Sequence, residues 1–162
     1  MTRGNERGFS LVEIVIALGL LAGVLIAIAG LFVLGGRSVK SGRTSSEALT
    51  AGKEIVEEMN GWAFSQLWQK FGLAGTANTY TVDTQTCTTA DCTAWQNALV
   101  AKLGPSSHAQ IKLDSVSQTG VATPNFETGG SVTAKNVRVT VNVLWTQVTG
   151  RNRQVAVVTT RN

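Results

Sequence analysis

Cys87 and Cys92, the only two cysteines, stand with four residues between them. With no other soft ligand nearby they are too few for a structural zinc site, so they read as a disulfide or as two buried thiols. His108 is the single histidine and follows Pro105-Ser106-Ser107, a loop context. No aspartate or cysteine pattern makes it a triad member, so it is expected to be exposed or to cap a turn. The chain holds no glycine-rich phosphate loop after a strand, no metal-binding helix pair and no paired-carboxylate motif. Catalysis, a bound metal and a cofactor are therefore not expected. Trp62, Trp68, Trp95 and Trp145 are expected to fill core and interface rather than to stack on bases. Glu13 is the one side chain whose setting asks for a task.

Glu13 lies just before a run of about 21 residues, Ile14 to Leu34, with no charged or strongly polar side chain. At 1.5 Å per residue that run covers the roughly 30 Å hydrocarbon core of a bilayer. A carboxylate well inside such a span costs about 2.5–3.5 kcal/mol on insertion scales, so it is tolerated near the headgroups or with a partner. Phe9, Leu11 and Val12 extend the apolar character upstream. Arg3 and Arg7 precede the run and Arg37, Lys40 and Arg43 follow it, cations placed to reach headgroups at both ends. A cleaved secretory signal competes, with Ala27, Ala29 and Gly30 as small residues for a cut. The run exceeds the roughly 7–15 apolar residues of such a signal and has Glu13 near its start, which favours an uncleaved anchor or a cut on its other side.

The composition follows from this segment. A chain of 162 residues has room for one domain and an anchor, and its 43% hydrophobic and 15% charged residues concentrate apolar surface somewhere. Of the net charge of +4, residues 1–8 hold +1, and Arg37, Lys40 and Arg43 hold +3 against the −1 of Glu13, leaving +1 for residues 44–162. The basic pI near 9.4 thus reports a membrane boundary. DNA binding is not indicated, since Arg151 and Arg153 near a turn are a thin basis for it.

The stretch Gly8-Phe9-Ser10-Leu11-Val12-Glu13, led by a short basic segment and followed by Ile14-Val15-Ile16-Ala17-Leu18, resembles the amino-terminal signature of type IV prepilins and pseudopilins. The resemblance is strong from residue 3 to about residue 36 and covers the remainder in outline. It implies that a prepilin peptidase cuts between Gly8 and Phe9 on the cytoplasmic side and methylates the new amine of Phe9. It also implies that Glu13, fifth from the new terminus, pairs with the terminal amine of a neighbouring subunit during assembly. An ammonium at Phe9 and a carboxylate at Glu13 lie about one helical turn apart, so they can pair within a subunit or, after an axial shift, between subunits. Unpaired charges in an apolar setting are strongly unfavourable, so matching these two selects a register. Many family members have a proline in the second half of the span, where this chain has Gly30.

Beyond Arg43, the positions Leu49, Gly52, Val56, Met59, Ala63 and Leu67 recur at three- and four-residue spacing, with Glu54, Glu57 and Glu58 largely off that line. This predicts a helix from Phe9 to about Trp62, with Gly35-Gly36 and Gly42 as bends. Tyr80 and Val82 suggest a short strand. Residues 90–103 read as a helix with Trp95, Leu99 and Leu103 on one side, stopped by Gly104-Pro105. Ala109 to Val116 alternates, as do Val137, Val139, Val141, Val143 and Trp145 against Arg138, Thr140, Asn142 and Leu144. A turn at Gly150 to Asn152 and a strand from Gln154 to Thr160 complete an antiparallel hairpin. The Val141-x-Val143-x-Trp145 pattern with Gln154-Val155-Ala156-Val157 also resembles PilV-type minor pilins and the I-type pseudopilin of type II secretion.

The expected fold is therefore α+β and type IV pilin-like, a long N-terminal helix packed on a C-terminal antiparallel sheet. Residues 1–8 are expected to be a leader peptide, 9–36 a transmembrane and polymerisation helix, and 37–162 an extracytoplasmic globular domain. The resemblance implies a structural, minor subunit of a type IV pilus. Its partners would be the prepilin peptidase, other pilin or pseudopilin subunits, an inner-membrane assembly platform and the lipid bilayer. The alternatives are a pseudopilin of a type II secretion system, and a membrane-anchored extracellular binding module using the threonine-rich stretch from Gly75 to Thr93. The expected location is the bacterial inner membrane, single-pass with the N-terminus cytoplasmic, and then the filament. Charge counts alone are close to a tie on that orientation, so the processing motif and the cysteine pair decide it.

Overall fold

Helix α1 takes its length from a sequence without proline between Leu11 and Asn60, the 50 residues it spans. It continues through Gly35, Gly36 and Gly42 without a break in helical structure. Each glycine costs only about 1 kcal/mol in a helix, less than hydrogen-bonded neighbours on both sides supply. The computed structural model describes residues 10–117, 125–147 and 150–162. The chain divides into two units, Met1–Gly42 and Arg43–Asn162.

The first unit is the apolar part of α1. Among the described residues its large hydrophobic side chains are all exposed, Leu11 at 78% and Phe32 at 77%.

In the second unit the remainder of α1 is followed by α2 (Gln66–Gln69), β1 (Thr79–Asp83), α3 (Ala90–Leu103), β2 (His108–Val116), β3 (Glu127–Thr128), β4 (Ser131–Val132), β5 (Asn136–Thr146) and β6 (Asn152–Arg161). Strands β1, β2, β5 and β6 form one antiparallel sheet in that order, and β3 pairs with β4 apart from it. The register aligns Ile111 with Val141 and Val141 with Val157, so successive alternating positions share a face. Ala109, Ile111, Leu113, Val137, Val139, Val141 and Val143 form the inner face and are almost fully buried. The long N-terminal helix packs on an antiparallel sheet, the α+β layout that alternation and helical spacing predict.

The helix face differs from the predicted one by a fraction of a turn. Ala48, Ala51, Gly52, Ile55, Val56 and Met59 are buried, whereas Leu49 stays 38% exposed. Ala63 lies beyond the helix end and is exposed. Small residues centre the contact because the backbone comes close to the sheet. A Cβ built on Gly52 would lie 3.0 Å from Val157 Cγ2 and 3.3 Å from Val143 Cγ2.

Beyond α1 an aromatic cluster closes the core. Trp62 stacks on Trp95 with centroids 5.8 Å apart, and Trp68 meets Phe126 at 5.0 Å. All four tryptophans are buried, as expected of core residues. Helix α3 begins at Thr89, whose hydroxyl accepts from the Cys92 N–H, and stops at Gly104, both near the predicted limits.

Candidate functional site

Gly8 and Phe9 lie outside the described residues, so the site begins with the first turn of α1. The Ser10 carbonyl accepts hydrogen bonds from the N–H groups of Glu13 at 2.9 Å and Ile14 at 3.3 Å. Glu13 is the acidic residue of that turn, where its charge is favourable toward the helix N-terminus. From Leu11 to Gly36 it is the only charged residue. Ile14 to Leu34 is helical throughout and its large side chains are all exposed. A contiguous apolar surface of this size has no stable place in water. The helix is long and apolar enough to cross a membrane. Around Gly19, Gly23 and Gly30 a Cβ would meet nothing within 4 Å, so the surface there is open to a neighbour.

The cysteine pair is a disulfide. Cys87 and Cys92 are bonded with their Cα atoms 5.8 Å apart, joining the loop after β1 to the first turn of α3. Cys92 is fully buried and Cys87 partly so. The loop is held at its start by Asp83, whose carbonyl accepts from the N–H groups of Thr86 and Cys87 and whose carboxylate accepts from the Gln85 N–H at 2.9 Å. An open depression beside the disulfide is lined by Phe71, Leu73, Val82, Asp83 and the threonines that flank Cys87.

His108 is not in a loop, which corrects the reading from its Pro-Ser-Ser neighbours. It is the first residue of β2, opposite Leu144, with Nε2 3.7 Å from Asp83 Oδ2. The strand begins earlier because pairing with the far end of β5 extends the ladder to position 108. Among the described residues no group of three or more histidine, cysteine or carboxylate side chains is placed to hold a metal ion.

Several ordering residues were not singled out from the sequence. Glu58 Oε2 accepts from Trp95 Nε1 at 2.6 Å, and Glu54 pairs with Lys102 at 2.8 Å, so two of the glutamates on α1 hold α3 in place. Glu127 Oε1 accepts from Trp68 Nε1 at 2.7 Å and Gln69 Nε2 at 3.1 Å. Gly75, at φ +71°, admits that side chain, since a Cβ there would lie 2.8 Å from Glu127 Cγ. A buried tryptophan N–H usually finds an acceptor, and Trp68 and Trp95 each find a carboxylate, whereas the buried Trp145 Nε1 has no partner among the described residues. Arg161 donates to the carbonyls of Met59, Asn60 and Trp62. Its place on the inward-facing alternation of β6 is legible in the sequence, but its acceptors are about a hundred residues away.

The structure thus brings Cys87 to Cys92 and His108 to Asp83, and among the described residues it brings no partner to Glu13 on its open apolar helix. No family model matches the chain, and neither a curated protein nor a solved structure matches it.

Proposed function

We propose that this chain is a structural, minor subunit of a type IV pilus, cut by a prepilin peptidase between Gly8 and Phe9 and assembled through its N-terminal helix. The observation that carries the reading is Glu13 as the one charge between Leu11 and Gly36, in the first turn of a helix whose large apolar side chains over that stretch are all exposed, four residues after Phe9. A cut after Gly8 places an ammonium on Phe9, one helical turn from the Glu13 carboxylate. Within a bilayer neither charge is stable alone, and a neighbouring subunit that offers the opposite charge at the right height satisfies both. Apolar faces then pack, with close approach at the Gly19 and Gly23 level. The apolar part of α1, residues 14–34, would lie in the inner membrane before assembly, with the Arg43–Asn162 unit outside the cytoplasm, where the Cys87–Cys92 bond is at home.

Mass spectrometry of the mature chain tests this. A terminus at N-methyl-Phe9 is the expected result, whereas an intact Met1 or a cut near Ala29 overturns it. The closing hairpin, with Val141, Val143 and Trp145 buried opposite β6, equally supports a pseudopilin of a type II secretion system. Crosslinking from the ectodomain separates these two, because the neighbours captured are pilus subunits in one case and secretion subunits in the other. A membrane-anchored binding module, using the depression beside Cys87, remains the reading that an uncut leader would favour.

A further inference from the structure

The second unit segregates its charge. Residues 44–127 hold four lysines against eight carboxylates, a net −4, while residues 128–162 hold Lys135, Arg138, Arg151, Arg153 and Arg161 with no carboxylate, a net +5. Two of these cations have structural surroundings of their own: Arg161 caps α1, and Arg138 faces Asp114 across the β2–β5 ladder. Arg151 and Arg153 are exposed at the β5–β6 turn, and no carboxylate pairs with either among the described residues. The turn is closed by Gln147 N–H to the Arg151 carbonyl at 2.9 Å and by Gly150 N–H to the Gln147 carbonyl at 2.8 Å. The backbone of Arg151 is thus tied to Gln147 at the start of β6, from which the two arginines are presented.

The register places that turn within the unit. Gly52 lies against Val157 and the Met59–Trp62 carbonyls lie against Arg161, so α1 and β6 run in the same direction. Eight helical residues rise about 12 Å and four strand residues about 13 Å, so the two advance in step. Going back from Val157 to Arg153, the same proportion reaches the level of Thr44 on α1, one residue from the start of the unit. Arg151 and Arg153 therefore occupy the end of the unit at which its chain begins. The carboxylates at that end are engaged: Glu47 with Arg43 at 2.8 Å, and Asp83 with Gln85 N–H, Gln110 Nε2 and His108.

We propose that residues 150–153 form a lipid-contact surface, in which Arg151 and Arg153 bind the phosphates of anionic phospholipids at the face of the bilayer that α1 crosses. This rests on the bilayer reading of α1 and does not require pilus assembly. Arginine offers a planar fork of donors that suits phosphate oxygens, and each basic residue near an anionic surface strengthens binding roughly fivefold. Docking of the turn holds the subunit against the membrane before it is drawn into a filament, and release of a few phosphate contacts lets it leave.

Hydrogen exchange on the full-length chain in nanodiscs tests the surface, comparing discs of phosphatidylcholine with discs in which a third of the lipid is phosphatidylglycerol. Peptides covering Gly150–Arg153 are expected to exchange at least fivefold more slowly in the anionic discs at low salt. That protection is expected to vanish in the R151Q/R153Q variant and at high salt, and to persist in K135Q, which removes a cation elsewhere on the unit. Equal exchange in both discs overturns the proposal, as does protection that survives R151Q/R153Q. Protection by added duplex DNA in phosphatidylcholine discs, without protection by phosphatidylglycerol, overturns it in favour of a nucleic-acid surface. The pilus reading fails separately, on the mature terminus at Phe9.

Discussion

The guanidinium of Arg161, the penultimate residue, donates to the carbonyl of Met59 at 3.0 Å, and the same nitrogen reaches the carbonyls of Asn60 at 2.9 Å and Trp62 at 3.1 Å. Helix α1 has no basic residue in its last turn, so this cation from the final strand supplies the charge and the donors that its C-terminus lacks. The contact ties the end of β6 to the end of the helix that carries the core.

Replacing Arg161 is therefore expected to cost more than an ordinary surface change. Arg161→Ala leaves three carbonyls at the helix end without their charged donor, and a stability loss of about 1–3 kcal/mol is expected. Arg161→Lys keeps the charge and a multi-donor nitrogen but not its reach and planar geometry, and is expected to fall between wild type and alanine. Denaturant unfolding of the full chain in detergent, followed by tryptophan fluorescence, measures this. An alanine variant as stable as wild type would show that the cap contributes nothing.

Gly52 gives the second prediction. Alanine in place of glycine gains about 1 kcal/mol in helix propensity, but here its Cβ would lie 3.0 Å from Val157 Cγ2 and 3.3 Å from Val143 Cγ2. Larger residues must push the helix off the sheet, so Gly52→Leu is expected to lose about 1–3 kcal/mol or more. Gly52→Ala is expected to be close to neutral alone and to become stabilising when combined with Val157→Ala, relative to Val157→Ala alone. The pair should be non-additive because the two side chains share one space. Additive effects in that double-mutant cycle would mean that the helix does not approach the sheet this closely.

Much of this fold was legible in the residues. Strict alternation from Val137 to Trp145 and the looser alternation from Ala109 to Val116 report a sheet with one buried face, and the structure adds only a residue or so at each end, although in β2 the four residues from Leu113 to Val116 are all buried. The buried side of α1 was less legible. Leu49 scores as core by its chemistry, yet Ala48, Ala51 and Gly52 take the contact because distance to the sheet, set by β5 and β6, is not written in the helix itself. Glu58, Glu54 and Glu127 illustrate the same limit: each looks like a solvated charge until a tryptophan or lysine far along the chain finds it. The candidate site reversed this order. Glu13 was conspicuous in the sequence because its neighbours are apolar, and the structure contributes the helical turn it occupies and the bareness of the surface around it.

The disulfide closes a short loop, which limits what it can stabilise. Chain-entropy reasoning for about six residues gives on the order of 2 kcal/mol. Cys87→Ala with Cys92→Ala is expected to lower stability by about that amount, and reductant should destabilise the wild type to the same level while leaving the variant unchanged. Cys92→Ser alone is expected to be worse, because its hydroxyl would sit at a fully buried position beside the first turn of α3. Thermal melts with and without reductant check this; a wild type indifferent to reductant would show that the bond adds nothing to stability.

Glu13 carries the last prediction. If its task is to match an ammonium on Phe9 of a neighbouring subunit, the requirement is negative charge at that height, not merely polarity. Glu13→Gln keeps shape and hydrogen-bonding capacity but leaves the incoming ammonium unmatched, a cost of about 2.5–3.5 kcal/mol in an apolar setting and so on the order of 100-fold in incorporation. Glu13→Ala is expected to behave the same way. Both should still insert and still be cut after Gly8, because neither change touches the cleavage pair or shortens the apolar run from Ile14 to Leu34. Gly8→Leu is expected to do the opposite, accumulating uncut precursor in the membrane while Glu13 is intact, since bulk at that position obstructs an extended backbone entering the peptidase. Comparing the membrane fraction with sheared filaments by immunoblot separates the two defects by size and by location. Normal entry of Glu13→Gln into filaments would remove charge matching as the reason for this carboxylate and leave only its favourable place at the helix N-terminus.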